Sequence, residues 1–222
     1  MFVIQSIDYD FELAALNALK FREWKTHKTE YIMFERHFYF DKSDIPIGSI
    51  DFVEWFAAKC GHLTKPPIDI TFLGNLLNRR VFHTNKDIED PLFIKERNRH
   101  KGKICGVYKP GELPEGEYIA SEILKSITSE WRVFYYNGIQ DIRRYDGLYT
   151  DTFDLQTIKD IIIEYNKQPD PCPAFVLDVA VCDKGTTPLE IHPFVSCGLY
   201  GFDSLHILGM MRDAYHWFIT KN

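Results

Sequence analysis

The chain has 222 residues, 45% hydrophobic, 15% aromatic and 26% charged, with a net charge of −6. That is enough apolar material for one large domain or two small ones, and too acidic a balance for a protein that mainly coats nucleic acid or anionic membrane, although a local basic pocket stays open. No apolar run is long enough to span a membrane, and "MFVIQSIDYDFELAAL" lacks the basic-then-apolar pattern of a signal peptide. The five cysteines, 60, 105, 172, 182 and 197, are odd in number and show no CxxC spacing, which suits reduced thiols in a cytoplasm. A zinc site from Cys172, Cys182, His192 and Cys197 matches no common zinc spacing.

In chain order, "MFVIQS" reads as a strand. "DFELAALNALKFREW" reads as a helix, with Phe11, Leu13, Leu16 and Leu19 near helical spacing. "EYIMFERHFYF" resembles a strand with mixed faces. Its aromatic residues Phe34, Phe38, Tyr39 and Phe40 suit a core or a subunit contact better than a ligand pocket. "IPIGSIDFVEWFAAKCG" holds a Pro-Gly turn, then a helix with Ser49 as N-cap and Gly61 as its stop. "HLTKPPIDI" is a Pro-rich connector. The run from Asn78 to Asp90 turns polar, which places a boundary near residue 85.

Beyond it the chain is richer in strands. "PLFIKERN" is a short strand, "RNRHKGKICG" a basic loop, "KICGVYK" and "YIASEILKSI" further strands. "EWRVFYYNGIQDIRRY" is a hairpin closed by Asn137-Gly138. "DTFDLQTIKDIIIEYN" is a helix capped by Asp154. "FVLDVAVCDKGTTPLEIHPF" is a second hairpin, turning at Asp183-Lys184-Gly185, and "GFDSLHILGMMRDAYHWFITKN" ends in a helix. Antiparallel pairs with helices between and after them make an α+β arrangement.

Three constellations bear chemistry. Counting outward from the first turn puts Arg132 opposite Arg143, and like charges so placed repel. They suit an anion held between them, or two solvated arginines near Asp141. Counting outward from Cys182 opposite Thr186 puts Asp178 opposite Glu190. That pair suits a cation, a shared proton, a lysine partner or a register off by one. Lys95, Lys101 and Lys103 lie on and after a strand beside glycines, which suits phosphate or a plain basic surface, and is not the GxxxxGK[ST] loop. Together they suit a nucleoside triphosphate with magnesium.

The segments "PIGSIDFV", "FIK", "SEILKSITSEWRVFYYNG", "DIRRYDG", "FVLDVAV" and "LEIHPFVSCGLYG", in this order, resemble ATP-grasp proteins, and within them the clade named for one arginine and two lysines, common in phage and bacterial genomes. The resemblance covers most of the chain and is strongest from Ser121 to Gly201. It implies an ATP-grasp fold in which two α+β subdomains hold ATP. Residues 1–85 would be a small N-terminal α/β pre-grasp part and residues 86–222 the ATP-grasp unit.

By position, the resemblance implies that Lys95 contacts the nucleotide phosphates. The second lysine is Lys103, in preference to Lys101. Glu122 and Leu124 lie in the hinge that meets adenine, and Glu130 binds ribose. Arg132 and Arg143 lie near the triphosphate or acyl-phosphate. Asp178 and Glu190 hold magnesium, or manganese in its place. The family's Glu-x-Asn is here Glu190-Ile191-His192, so His192 binds metal, contacts phosphate, or is structural in a weakened site. "PFVSCGLYG" invites a Ser or Cys nucleophile but lacks a spaced His and acid. The implied activity is an ATP-dependent carboxylate-amine ligase working through an acyl-phosphate on small-molecule or peptide substrates, in the cytoplasm, without nucleic acid or membrane. The alternatives are a degenerate nucleotide-binding module with a regulatory or interaction role, and a small-molecule kinase.

Overall fold

The computed structural model describes residues 1–35, 39–85 and 88–221. The N-terminal part holds β1 (Phe2–Ile4), α1 (Asp10–Thr26), β2 (Tyr31–Met33), β3 (Ile45–Ile47), α2 (Ile50–Lys59) and β4 (His62–Thr64). The three strands β2-β1-β3 pair in parallel. The "IPI" stretch before Gly48 is thus the edge strand β3 as well as the start of a turn. Pro46 is tolerated there because an edge strand can spare a donor. Phe38 lies outside the described residues. Phe34 and Phe40 pack with Phe52, Trp55 and Phe56 of α2 in an aromatic cluster.

Helix α1 buries Phe11, Ala15, Leu16 and Leu19, while Leu13, two residues off that face, is exposed. Helix α2 buries Phe52, Val53, Phe56 and Ala57, and the Ser49 hydroxyl accepts from the Phe52 amide as its cap. A 3-10 segment, Ile70–Leu77, follows where the connector ends, with Asp69 capping it.

Next come β5 (Val81–Thr84), β6 (Leu92–Glu96), β7 (Cys105–Tyr108) and β8 (Tyr118–Ser121), an antiparallel sheet in the order β5-β8-β6-β7. Only the first four residues of "YIASEILKSI" form a strand. This sheet has a small core of its own around Leu92, Ile94, Leu113, Tyr118 and Ala120. Strand β5 lies before residue 85 yet pairs with β8, so the chain enters the small sheet at Val81.

The large sheet comprises the longer strands β9 (Ser129–Tyr136), β10 (Ile139–Gly147), β11 (Ala174–Cys182) and β12 (Gly185–Pro193), in the order β10-β9-β11-β12. Helix α3 (Leu155–Asn166) lies between the hairpins, with the Asp154 carboxylate accepting from Gln156 and Thr157. Helix α4 (Ile207–Phe218) runs into β13 (Ile219–Lys221), which pairs with β4. One continuous core joins β1, β3 and α1 to β9, β11, α3 and α4, through residues such as Ile4, Leu19, Phe134, Phe175, Phe194 and Tyr215. The N-terminal part and the large sheet therefore share one core, and strands β5 to β8 form a smaller lobe with its own core.

Both hairpins reach the expected pairs by offsets that cancel. In the second, Cys182 faces Gly185 rather than Thr186, because Asp183 and Lys184 alone make the turn and Gly185 takes the left-handed conformation at φ 84°. A bulge at Leu189, next to Pro188 on the edge strand, then restores the count, and Asp178 faces Glu190. In the first, Tyr135 faces Ile139, Gln140 is the extra residue, and Arg143 faces Arg132. A second bulge there, at Tyr145, precedes Gly147, where a side chain would run into the Thr128 carbonyl.

Candidate active site

Strand β9 lies between β10 and β11, so the two hairpins share one sheet. Arg143, Arg132, Asp178 and Glu190 consequently form a single row across four strands. The inner two neutralise each other. Arg132 Nε donates to Asp178 Oδ1 at 2.8 Å and Nη2 to Oδ2 at 2.7 Å, while Nη1 donates to the Gly198 carbonyl at 3.0 Å. Both side chains are buried. Burial opposes the guanidinium charge, but Asp178 outweighs it and holds Arg132 above its ordinary range. The stacked rings of Tyr145 and Tyr200 flank the guanidinium, at 5.7 and 5.3 Å from ring centre to Cζ. Tyr145 is the unpaired residue of the second bulge in β10.

A cavity of about 910 Å³ opens between the small lobe and the large sheet. Its lining includes Lys95, Glu122, Leu124, Glu130, Arg132, Asp178, Glu190 and His192. Among the described residues that line it, Arg143 and Lys103 are not found. Arg143 is instead engaged by Asp141 on its own strand, at 2.6 Å. Its proximity to Arg132 in the register therefore does not carry it into the cavity. Lys103 is exposed, with its backbone amide held by the Glu96 carboxylate, whereas Lys101 lines the cavity and lies 3.6 Å from Asp51.

Lys95 reaches across from the small lobe to Glu190, 2.5 Å away. Burial pulls the Glu190 carboxyl upward, but the Lys95 ammonium, the His192 ring and Arg132 hold it down at about 2. Glu190 keeps 41% side-chain exposure into the cavity, so water still reaches it. His192 is lowered by burial first and by Arg132 second, against the pull of Glu190 and Asp178. Its ligand atom, with one oxygen from Asp178 and one from Glu190, belongs to a group lying within 4.8 Å of one another. Glu130 is raised, mainly by burial, with Asp146, Asp178 and Glu190 adding to it and the Tyr145 hydroxyl opposing.

The side of the cavity around Ser121 and Glu122 is cross-tied. Glu122 pairs with Lys184 of the β11–β12 turn at 2.7 Å. Arg79 Nε donates to Ser121 Oγ at 2.7 Å, and Nη1 to the carbonyls of Pro188 at 2.5 Å and Leu77 at 3.3 Å. Arg79 lines the cavity and was not anticipated from the sequence, because it sits in a polar stretch without periodicity. Burial lowers its pKa, partly offset by Cys182 and Glu122.

The basic loop after β6 crosses to the N-terminal part: one His100 ring nitrogen lies 2.9 Å from the Lys65 carbonyl, and the ring packs edge-on to Phe218. The loop after β12 is held by Arg132 and by Asp10 of α1, whose carboxylate accepts from the Leu199 and Tyr200 amides. Cys197 in that loop lines the cavity, and burial pushes its thiol up to about 12, so it remains a thiol. Among the described residues, no helix is long and apolar enough to cross a membrane.

The fold matches solved ATP-grasp structures at low identity. D-cycloserine synthetase DcsG aligns with a TM-score of 0.59 at 10% identity, over 97% of this chain and 98% of that one. The RimK domain protein ATP-grasp from Sphaerobacter thermophilus DSM 20745 aligns at 0.53 and 12%, over 97% of each chain. D-alanine–D-alanine ligase from Bacillus anthracis aligns at 0.51 and 9%, over 97% and 96%. No curated protein matches the chain. The family model for the ATP-grasp domain, family 3 of the clade named for one arginine and two lysines, matches residues 53–210, most of the chain, and the protein therefore belongs to that ATP-grasp family.

Proposed function

We propose that the protein is an ATP-dependent carboxylate-amine ligase. The observation that carries this reading is one cavity between two sheets that gathers Lys95, Glu130, Asp178, Glu190 and His192 around an apolar wall including Leu124 and Leu189. The wall suits an adenine ring and the charged end suits a triphosphate. Lys95 and Lys101 neutralise phosphate oxygens, and Glu130 accepts from ribose hydroxyls. Arg132 is a positioning residue: it fixes the Asp178 carboxylate and the Gly198 loop. Arg143, tied to Asp141 outside the cavity, has no part in this scheme.

The three donor atoms of Asp178, Glu190 and His192 fit a divalent cation in spacing and charge. When bound, that cation would neutralise charge on the transferring phosphoryl group. In the reaction, an oxygen of the substrate carboxylate attacks the γ-phosphorus and ADP leaves. The amine then attacks the acyl carbon, phosphate leaves with the bonding pair, and the nitrogen releases one proton to the departing phosphate or to water, which leaves the amide. Phosphoryl transfer asks mainly for positioning and charge neutralisation, which this cavity supplies without a nucleophilic side chain.

The test is acyl-phosphate trapping. The protein, ATP and magnesium or manganese are incubated with a panel of amino acids and peptides plus hydroxylamine. ADP release matched by hydroxamate supports the ligase. A second reading, a nucleotide-binding module without ligase activity, is favoured by the closed ion pairs of Asp178 with Arg132 and Glu190 with Lys95. ATP binding without hydroxamate across the panel would select it. A phosphorylated product resistant to hydroxylamine would select a kinase.

A further inference from the structure

We propose that Asp178, Glu190 and His192 form a site for a first-row transition ion of the manganese, iron and cobalt class in preference to magnesium. The three come from adjacent strands. Asp178 and Glu190 face each other in the register, and His192 is two residues further along β12 on the same face. Their donor atoms lie within 4.8 Å of one another. Magnesium favours an all-oxygen octahedron that keeps several waters, whereas imidazole nitrogen favours the transition ions.

The surrounding charges sharpen that difference. Arg132 occupies Asp178 and Lys95 occupies Glu190, so both hard oxygen donors already answer to a cation. The imidazole is the donor of the three outside those ion pairs. An asparagine oxygen at this position would give a harder set, so His192 is the residue that sets the preference.

Because the assignment rests on the ligase reading, its test reads metal binding rather than turnover. The full chain is titrated with MnCl2 in the presence of a non-hydrolysable ATP analogue, and free manganese is followed by electron paramagnetic resonance. MgCl2 is then added to displace it, with the metal–analogue complex alone as baseline. The expected result is that wild type needs roughly tenfold more magnesium than His192→Asn to release manganese. Wild type also shows nitrogen-14 modulation of the bound manganese signal, which His192→Asn loses. Circular dichroism checks both proteins, and His192→Gln serves if the asparagine variant does not fold. Equal displacement without nitrogen modulation overturns the metal preference and leaves the ligase reading standing. Folded wild type that binds neither analogue nor manganese overturns both.

Discussion

Arg132 and Asp178 form a two-pronged, buried ion pair across the β9–β11 register, with the third guanidinium nitrogen on the Gly198 carbonyl. This couples the middle of the large sheet to the loop at the mouth of the cavity. It also decides what neighbouring charges are free to do, since it removes one cation and half-occupies one acid.

Breaking that pair from the arginine side should be costly. Arg132→Ala leaves Asp178 charged and buried and strips the Gly198 carbonyl of its donor, for a loss of about 3–5 kcal/mol. Urea unfolding measures it. Arg132→Lys should recover only part of the loss, because an ammonium cannot reproduce the two-pronged geometry. A loss near zero would mean the pair is not formed in solution.

The Lys95–Glu190 pair sets an acid dependence. The Glu190 pKa is depressed from 4.5 to about 2, so its contribution is present above about 4.5 and disappears as pH falls through about 2. The difference in melting temperature between wild type and Glu190→Gln should therefore shrink as pH falls across that window. A difference constant with pH would place the stabilisation elsewhere.

The same pair should gate the metal. With Lys95 on Glu190, a divalent ion entering alone meets carboxylates already matched by cations. Lys95→Ala should raise the affinity for free manganese severalfold, on the order of 1 kcal/mol, while weakening ATP binding. Calorimetry with MnCl2 and with ATP separately reads both. Weaker binding of both would contradict this account.

Arg79 ties the lobes, through Ser121 on one side and Pro188 on the other. Arg79→Ala should cost about 1.5–3 kcal/mol by thermal unfolding, because carbonyls lose a charged donor. It should also speed proteolysis between residues 81 and 121. A variant as protease-resistant as wild type would show that the lobe is held by other contacts.

Local patterns in the sequence carried the α+β arrangement far. Ser49 and Asp154 announced helix starts, and Asn137-Gly138 announced a hairpin. The pairs Arg132–Arg143 and Asp178–Glu190 were reached by a count whose starting offset was cancelled by bulges at Gln140 and Leu189. Nothing local could reveal that β9 and β11 are neighbours, because that contact joins residues 46 apart. Hence the arginines read as an anion clamp and the acids as a cation clamp, whereas the sheet sets Arg132 against Asp178. Arg79 was missed for the same reason: its partners are Ser121 and Pro188, far along the chain. The choice of Lys103 over Lys101 turned on loop geometry, which composition does not encode.

The cavity between the small lobe and the large sheet is proposed to hold ATP with its metal. A crystal grown with a non-hydrolysable ATP analogue and manganese tests it directly. The expected result is adenine against Leu124, the triphosphate against Lys95, and an anomalous manganese peak beside Glu190 and His192. Analogue bound elsewhere, or an occupied cavity with Lys95 still on Glu190 and no metal peak, would contradict it.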